Sequence, residues 1–399
     1  MTRVERKICD IIRKHIIVIG FAAIGIIALL IRLAMLDKVT SDYSFFMSKW
    51  IEQLGQYDGI SGLGQNIGEY NVPYMLFLAI IGKTPFNDLH EIKVLSIVFD
   101  YVGAFAALKI ISLVCDTKFF SSTNLIACSV ILLNPVFFLN SAYWAQCDFI
   151  YSALCLLSLY YILKGKNNLC AVFFGFALAI KLQAIFFLPV LVICYFVTGR
   201  MKIVNFLWIP AIFILSALPA IFAGRDIVET LTIYLSQTSI YNSLTMSCPN
   251  LFIFITGEYE IFSKIGIMIA LSVLGIGACL FIKKGEMSVK ATVLLSAWCA
   301  LVCIYFLPAM HERYTFMACV FSIVWAFVCK RDWWLAIGIN LVCLMSYTPY
   351  LFHNTVVDMK YLSLANLAFL AYMTFRLFSQ KGREVFDTKE IGETKKIKE

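Results

Sequence analysis

The chain has 399 residues, 61% of them hydrophobic and only 15% charged, with a mean hydropathy of +0.84. Apolar runs of membrane-spanning length recur from end to end, which excludes a soluble globular protein; a transmembrane β-barrel is excluded too, because barrels need short alternating segments. The formal net charge of +8 does not mark a nucleic-acid binder, since the basic residues sit in short loops and at the termini, where they orient helices.

The expected fold is all-α, a polytopic helical membrane protein of about twelve spans. These are read at 14–36, 92–114, 122–139, 147–163, 168–181, 183–198, 203–222, 262–282, 290–308, 314–330, 333–351 and 360–378. The first apolar run is too long for a signal-peptide core and lacks a small-residue cleavage site, so it is expected to remain as an anchor. Ahead of it lie Arg3, Arg6, Lys7, Arg13 and Lys14, which puts the N-terminus in the cytoplasm. Alternation then sends the acidic loop 37–91 outside. Lys164/Lys166, Arg200/Lys202, Lys283/Lys284/Lys290 and Lys330/Arg331 fall inside, while Asp148, Asp226/Glu229, Glu258/Glu260 and Asp358 fall outside. The C-terminus is cytoplasmic in this scheme.

The scheme requires that Val72–Ile81 not cross. That stretch is bounded by Pro73 and by Gly82-Lys83-Thr84-Pro85, and is too short to span. A second short segment, 248–255 around Pro249, is expected to be re-entrant as well; such helices are tolerated where they line a water-filled cavity. Within the outer loop, Phe45, Phe46, Trp50 and Leu54 recur at helical spacing, which reads as an amphipathic helix at the membrane surface. Residues 1–381 form one transmembrane domain with the loop 37–91 as its outer part, and 382–399 form a charged, mobile cytoplasmic tail. The fourteen cysteines are scattered without a C-x-x-C pair and read as small apolar filler. His15, His90 and His353 are expected at the surface or the membrane interface.

Four polar insertions interrupt this pattern, all on the outer side by the alternation above. Ser41-Asp42-Tyr43 follows the first span; Asp42 reads either as a helix N-cap or as a base that takes a proton from a hydroxyl. Tyr143-Trp144-Ala145-Gln146-Cys147-Asp148 follows Asn134-Pro135; an interfacial aromatic belt accounts for Tyr143 and Trp144 but not for Gln146 and Asp148. Lys181-Leu182-Gln183 breaks an apolar stretch, so that Lys181 either snorkels or offers its ammonium to a phosphate. His311-Glu312-Arg313-Tyr314 follows Pro308. On a helix, Glu312 and Arg313 would point about 100° apart rather than pair. Arg313 offers a planar fork to phosphate, and His311 donates hydrogen bonds or moves protons. No nucleotide-binding glycine loop and no metal-ligand spacing occurs, so no cofactor or metal is expected, although Asp42 and Asp148 would be the ligands of a divalent ion.

Asp42 just after the first span, Tyr70-Asn71-Val72-Pro73-Tyr74, Trp144-Ala145-Gln146-Cys147-Asp148 and His311-Glu312-Arg313-Tyr314 together resemble the GT-C glycosyltransferases, and among them the bacterial mannosyltransferases related to the second GPI mannosyltransferase. The resemblance covers roughly 40–314. Family members often carry two prolines where this chain has Val72-Pro73, and Gly where it has Ala145. The resemblance implies transfer of a hexose, with mannose the expected sugar, from a polyprenyl-phosphate-linked donor to a hydroxyl of a glycan, glycolipid or glycopolymer, with inversion at the anomeric carbon. Asp42 would be the catalytic base. Lys181, Gln183, His311 and Arg313 would bind the donor phosphate; Tyr43, Tyr70, Trp144, Gln146, Asp148, Glu312 and Tyr314 would bind sugar or acceptor. A bacterial plasma membrane is the expected location, with endoplasmic reticulum the alternative. A flippase for lipid-linked sugars or a polysaccharide polymerase or ligase stays open as an alternative.

Overall fold

The computed structural model describes residues 1–199, 201–237 and 242–379. Arg200, counted above among the inner charges, and the tail over 382–399 lie outside the described residues. The described chain is helical almost throughout, and its only sheet joins two-residue strands, Thr245–Met246 and Met310–His311.

Among the described residues seven helices are long and apolar enough to cross a membrane: Arg3–Leu33, Asp88–Cys115, Ile203–Phe222, Tyr259–Lys284, Val289–Phe306, Lys330–Phe352 and Met359–Phe378. An eighth crossing is obtained if Ser122–Leu132 and Pro135–Tyr143, bent by 44°, act as one span. The bend sits at Asn134-Pro135, where proline removes a backbone donor and disfavours helical geometry at the residue before it. Asn134 then caps the second half by accepting from the Val136 N–H at 2.9 Å. Four further apolar helices, Asp148–Leu163, Asn167–Ile180, Leu182–Thr198 and Phe316–Val328, are shorter.

The layering follows burial. Val289–Phe306 and Phe316–Val328 are sheathed by protein, whereas Arg3–Leu33, Ile203–Phe222 and Tyr259–Lys284 leave most of their apolar surface uncovered. Exposed Ile, Leu and Phe in that number are stable only against lipid. At the helix crossing of Asp88–Cys115 and Asp148–Leu163, a Cβ on Gly103 would lie 2.2 Å from the Phe149 ring, so only glycine permits that approach. Among the fourteen cysteines, all free, most are buried among apolar neighbours, as filler residues would be.

The outer loop folds as a small layer with its own core of Met47, Ile51, Leu54, Val72, Met75 and Leu78. Val72–Ile81 is a ten-residue helix, started by Asn71. The amphipathic helix is present as Ser48–Gly55, but its buried stripe is Met47, Ile51 and Leu54, while Phe45 and Phe46 stand 63% and 43% exposed. A π turn over Tyr43–Met47 precedes it. One extra residue in a turn rotates the following stripe by about 100°, which the regular spacing could not register. The second expected short helix is not formed: within 248–255 there is only a 3-10 turn, Leu251–Phe254. The segment before it spends its backbone groups on strand pairing with 310–311 instead.

Two buried ion pairs, passed over in the sequence, tie the helices together. Arg32 Nε meets Asp100 Oδ2 at 2.6 Å, and Arg32 Nη1 donates to the Leu132 carbonyl at 2.8 Å. Arg376 meets Asp332 at 3.2 Å, and Asp332 also accepts from Trp325 and Tyr372. Lys93 donates to the carbonyls of Met35, Leu36 and Lys38, closing the end of the first helix and so fixing where the chain turns toward Asp42.

Candidate functional site

The four polar insertions meet. Asp42, Gln146, Lys181, Gln183 and the run from His311 to Tyr314 line one chamber of about 780 Å³. The rest of its wall mixes aromatic and apolar groups, among them Trp50, Tyr70, Phe186 and Ile267.

Asp42 does not act as a cap; its side chain makes no capping hydrogen bond. Its Oδ2 accepts from Trp144 Nε1 at 3.0 Å and from Gln146 Nε2 at 2.6 Å, and Arg313 Nη1 stands 3.6 Å away. Its Oδ1 accepts from the Tyr350 hydroxyl. The loop that delivers two donors to one oxygen begins with a π turn over Leu139–Tyr143, closed by Trp144 N–H on the Leu139 carbonyl at 2.8 Å. Ala145 then adopts φ +64, and the Gln146 N–H returns to the Asn140 carbonyl at 2.9 Å. This reversal turns Trp144 and Gln146 to the same side. A left-handed alanine is strained, and such strain persists where surrounding structure enforces it.

Beneath Asp42 lies a second charge cluster. Asp148, wholly buried, pairs with Lys181, accepts from Asn140 Nδ2 at 2.8 Å, and stands 3.9 Å from Arg313 Nε. Lys181 leaves its helix through an extended residue, φ −152 and ψ 136, which aims the side chain inward; the rings of Tyr70, Tyr151 and Tyr314 surround its ammonium at 5.7 to 5.9 Å.

Arg313 touches three carboxylates: Glu312 at 3.3 Å, Asp42 and Asp148. Its guanidinium also lies 5.4 Å from the Trp144 ring. The expectation that Glu312 and Arg313 diverge is corrected here. Residues 310–311 are extended and pair with 245–246, and 312–315 form a turn, so helical angles do not apply. The adjacent side chains do pair. Burial raises the Glu312 carboxyl above its ordinary range, with Arg313 opposing that effect. Burial first, then Arg313 and Lys181, lowers His311 to about 2. The imidazole is therefore neutral, and its 3.9 Å approach to Glu312 is a dipolar contact rather than an ion pair.

The remaining expected residues divide clearly. Tyr70, Gln183 and Tyr314 line the chamber. Trp144 and Asp148 sit behind the wall, one holding Asp42 and the other holding Lys181 and Arg313. Tyr43 packs into the outer-layer core instead of facing the chamber. Sequence reading missed Tyr350 and Asn140: a tyrosine in an apolar helix and an asparagine beside a belt carry no distinguishing signal. Among the described residues no group of three or more His, Cys, Asp or Glu side chains is gathered to hold a metal. The chain matches no family model and no curated protein.

Proposed function

We propose that the chamber transfers a hexose, with mannose the expected sugar, from a polyprenyl-phosphate donor to a hydroxyl acceptor, by a single inverting displacement of the GT-C type. The convergence of Asp42, Lys181 and Arg313 on one cavity at the edge of a lipid-exposed bundle carries this reading. Asp42 takes the acceptor proton, the oxygen attacks C1, and the lipid phosphate departs with the bonding electrons. Trp144 and Gln146 orient the carboxylate; Tyr70, Glu312 and Tyr314 are within the wall that would meet sugar or acceptor hydroxyls.

The phosphate has to compete with carboxylates for Lys181 and Arg313. The Arg313 contacts, at 3.3 to 3.9 Å, are longer than the roughly 2.7–2.9 Å of a charge-assisted hydrogen bond, so a phosphate can displace them. Arg313 Nε and Gln183 Oε1 are buried without a hydrogen-bond partner among the described residues, which supports a polar ligand at this spot. Neutral His311 donates a single hydrogen bond at most in this arrangement.

In the membrane the four shorter helices would cross with the others, giving the twelve spans expected from the sequence, with both termini cytoplasmic and the chamber on the outer face of a bacterial plasma membrane. Replacing one well-placed donor to a leaving oxyanion costs on the order of 3 kcal/mol, roughly a hundredfold in turnover. Arg313→Ala and Lys181→Ala should each fall by that order in transfer from polyprenyl-phosphate-mannose. Full activity in both would refute the phosphate assignment.

A further inference from the structure

We propose that Tyr350 and Ser41 carry away the proton that Asp42 removes from the acceptor; this rests on the transfer reading above. The argument comes from the hydrogen-bonding capacity of each neighbour of Asp42. On Oδ2 the neighbours are an indole N–H, an amide NH₂ and a guanidinium. All three nitrogens donate and none accepts, so a proton arriving on Asp42 cannot pass to them. On Oδ1 the neighbour is the Tyr350 hydroxyl, which both donates and accepts. That hydroxyl has a second partner, Ser41 Oγ at 2.6 Å, again a group that does both. Ser41 is exposed, whereas Asp42 and Tyr350 are half-buried. The three groups make a continuous path from the base, through Tyr350 in the chamber wall, to exposed Ser41, which does not line the chamber.

The step balances as follows. The acceptor O–H breaks, its oxygen bonds C1, and the C1–O bond to phosphate breaks with its electrons staying on the phosphate. The proton rests on Asp42 Oδ1. Asp42 then donates to the Tyr350 oxygen, Tyr350 donates its own proton to Ser41 Oγ, and Ser41 releases one to water. Asp42 ends as a carboxylate, ready for the next acceptor. The Tyr350 ring stacks on Trp144 at 4.8 Å and 19°, which fixes the hydroxyl over Oδ1. Phenylalanine would keep that stacking and remove only the hydroxyl.

The test is a rapid-quench time course of the full chain in liposomes, with radiolabelled polyprenyl-phosphate-mannose as donor and a total cell-envelope extract as acceptor. Tyr350→Phe removes one hydrogen bond to Asp42, as Trp144→Phe does, so its first turnover should slow to a similar extent. Its later turnovers should then slow by roughly a further tenfold, because the base is not cleared. Imidazole added as a soluble proton acceptor should restore the later turnovers. If Tyr350→Phe does not fold, Ser41→Ala carries the same criteria for the later turnovers. A variant slowed equally in its first and later turnovers and indifferent to imidazole overturns the proposal, since Tyr350 would then act on packing or on the chemical step. A variant indistinguishable from wild type overturns it too. Wild type that moves no label removes the transfer reading itself, and with it the proton to be exported.

Discussion

Asp148→Asn should destabilise the protein more than any other single change of one atom type at this site. Asp148 is wholly buried and neutralises Lys181, whose side chain is 7% exposed, while also facing Arg313 at 3.9 Å. Asparagine keeps the shape and still accepts from Asn140, but it leaves the Lys181 ammonium in a buried position against a neutral amide. Removing one partner of a buried pair costs about 3–5 kcal/mol, because the other charge stays uncompensated. At about 2 °C per kcal/mol for a chain of this size, the melting temperature in detergent should fall by on the order of 6–10 °C. Adding Lys181→Met to Asp148→Asn removes the stranded charge and should recover more than half of that loss. Thermal unfolding of the two single variants and the double variant gives the coupling directly. A single variant within about 1 kcal/mol of wild type would mean that the pair is as weak as a solvated surface pair, and the buried-cluster argument would fail.

Other consequences are more local. Trp144→Phe keeps the stacked ring but removes the Nε1 donor to Asp42, and turnover should drop by roughly tenfold with a smaller change in KM. Ala145→Gly relieves a left-handed backbone at φ +64 and should raise the melting temperature, by an amount corresponding to about 1 kcal/mol. His311, held down to about 2 in the folded chain, binds its proton only when unfolded over much of the acidic range. Its contribution to stability is therefore present above the ordinary value of 6.5 and lost as pH falls below it, by up to about 1.4 kcal/mol per pH unit. Between pH 6.5 and 5 the melting temperature of His311→Gln should fall less than that of wild type.

Much of the bundle is readable because length and hydropathy are local properties. The ten residues of Val72–Ile81 are too few to cross, and they form a helix of that length. The break at Asn134-Pro135 is written in the residues themselves, although its 44° bend splits a span that hydropathy alone joins. The convergence of 42, 146, 181 and 311–314 was legible because all four insertions were assigned to one side by charge alternation. What sequence could not supply was pairing at a distance. Glu312 and Arg313 pair because strands 245–246 and 310–311 displace the helix that their neighbours suggest. Lys181 and Asp148 are individually visible as charges in apolar surroundings, yet only the fold shows that each occupies the other. Tyr350 looks like any helical tyrosine until Asp42, 308 residues away, is found against it.

The most direct measurement is movement of radiolabelled sugar from polyprenyl-phosphate-mannose and polyprenyl-phosphate-glucose, with wild type and Asp42→Asn each reconstituted in liposomes beside a cell-envelope extract. The account predicts label covalently incorporated into an acceptor by wild type from one donor, and loss of that incorporation in Asp42→Asn. Label that only changes leaflet, equally in both proteins, would contradict it and identify the chamber as a passage for lipid-linked sugars.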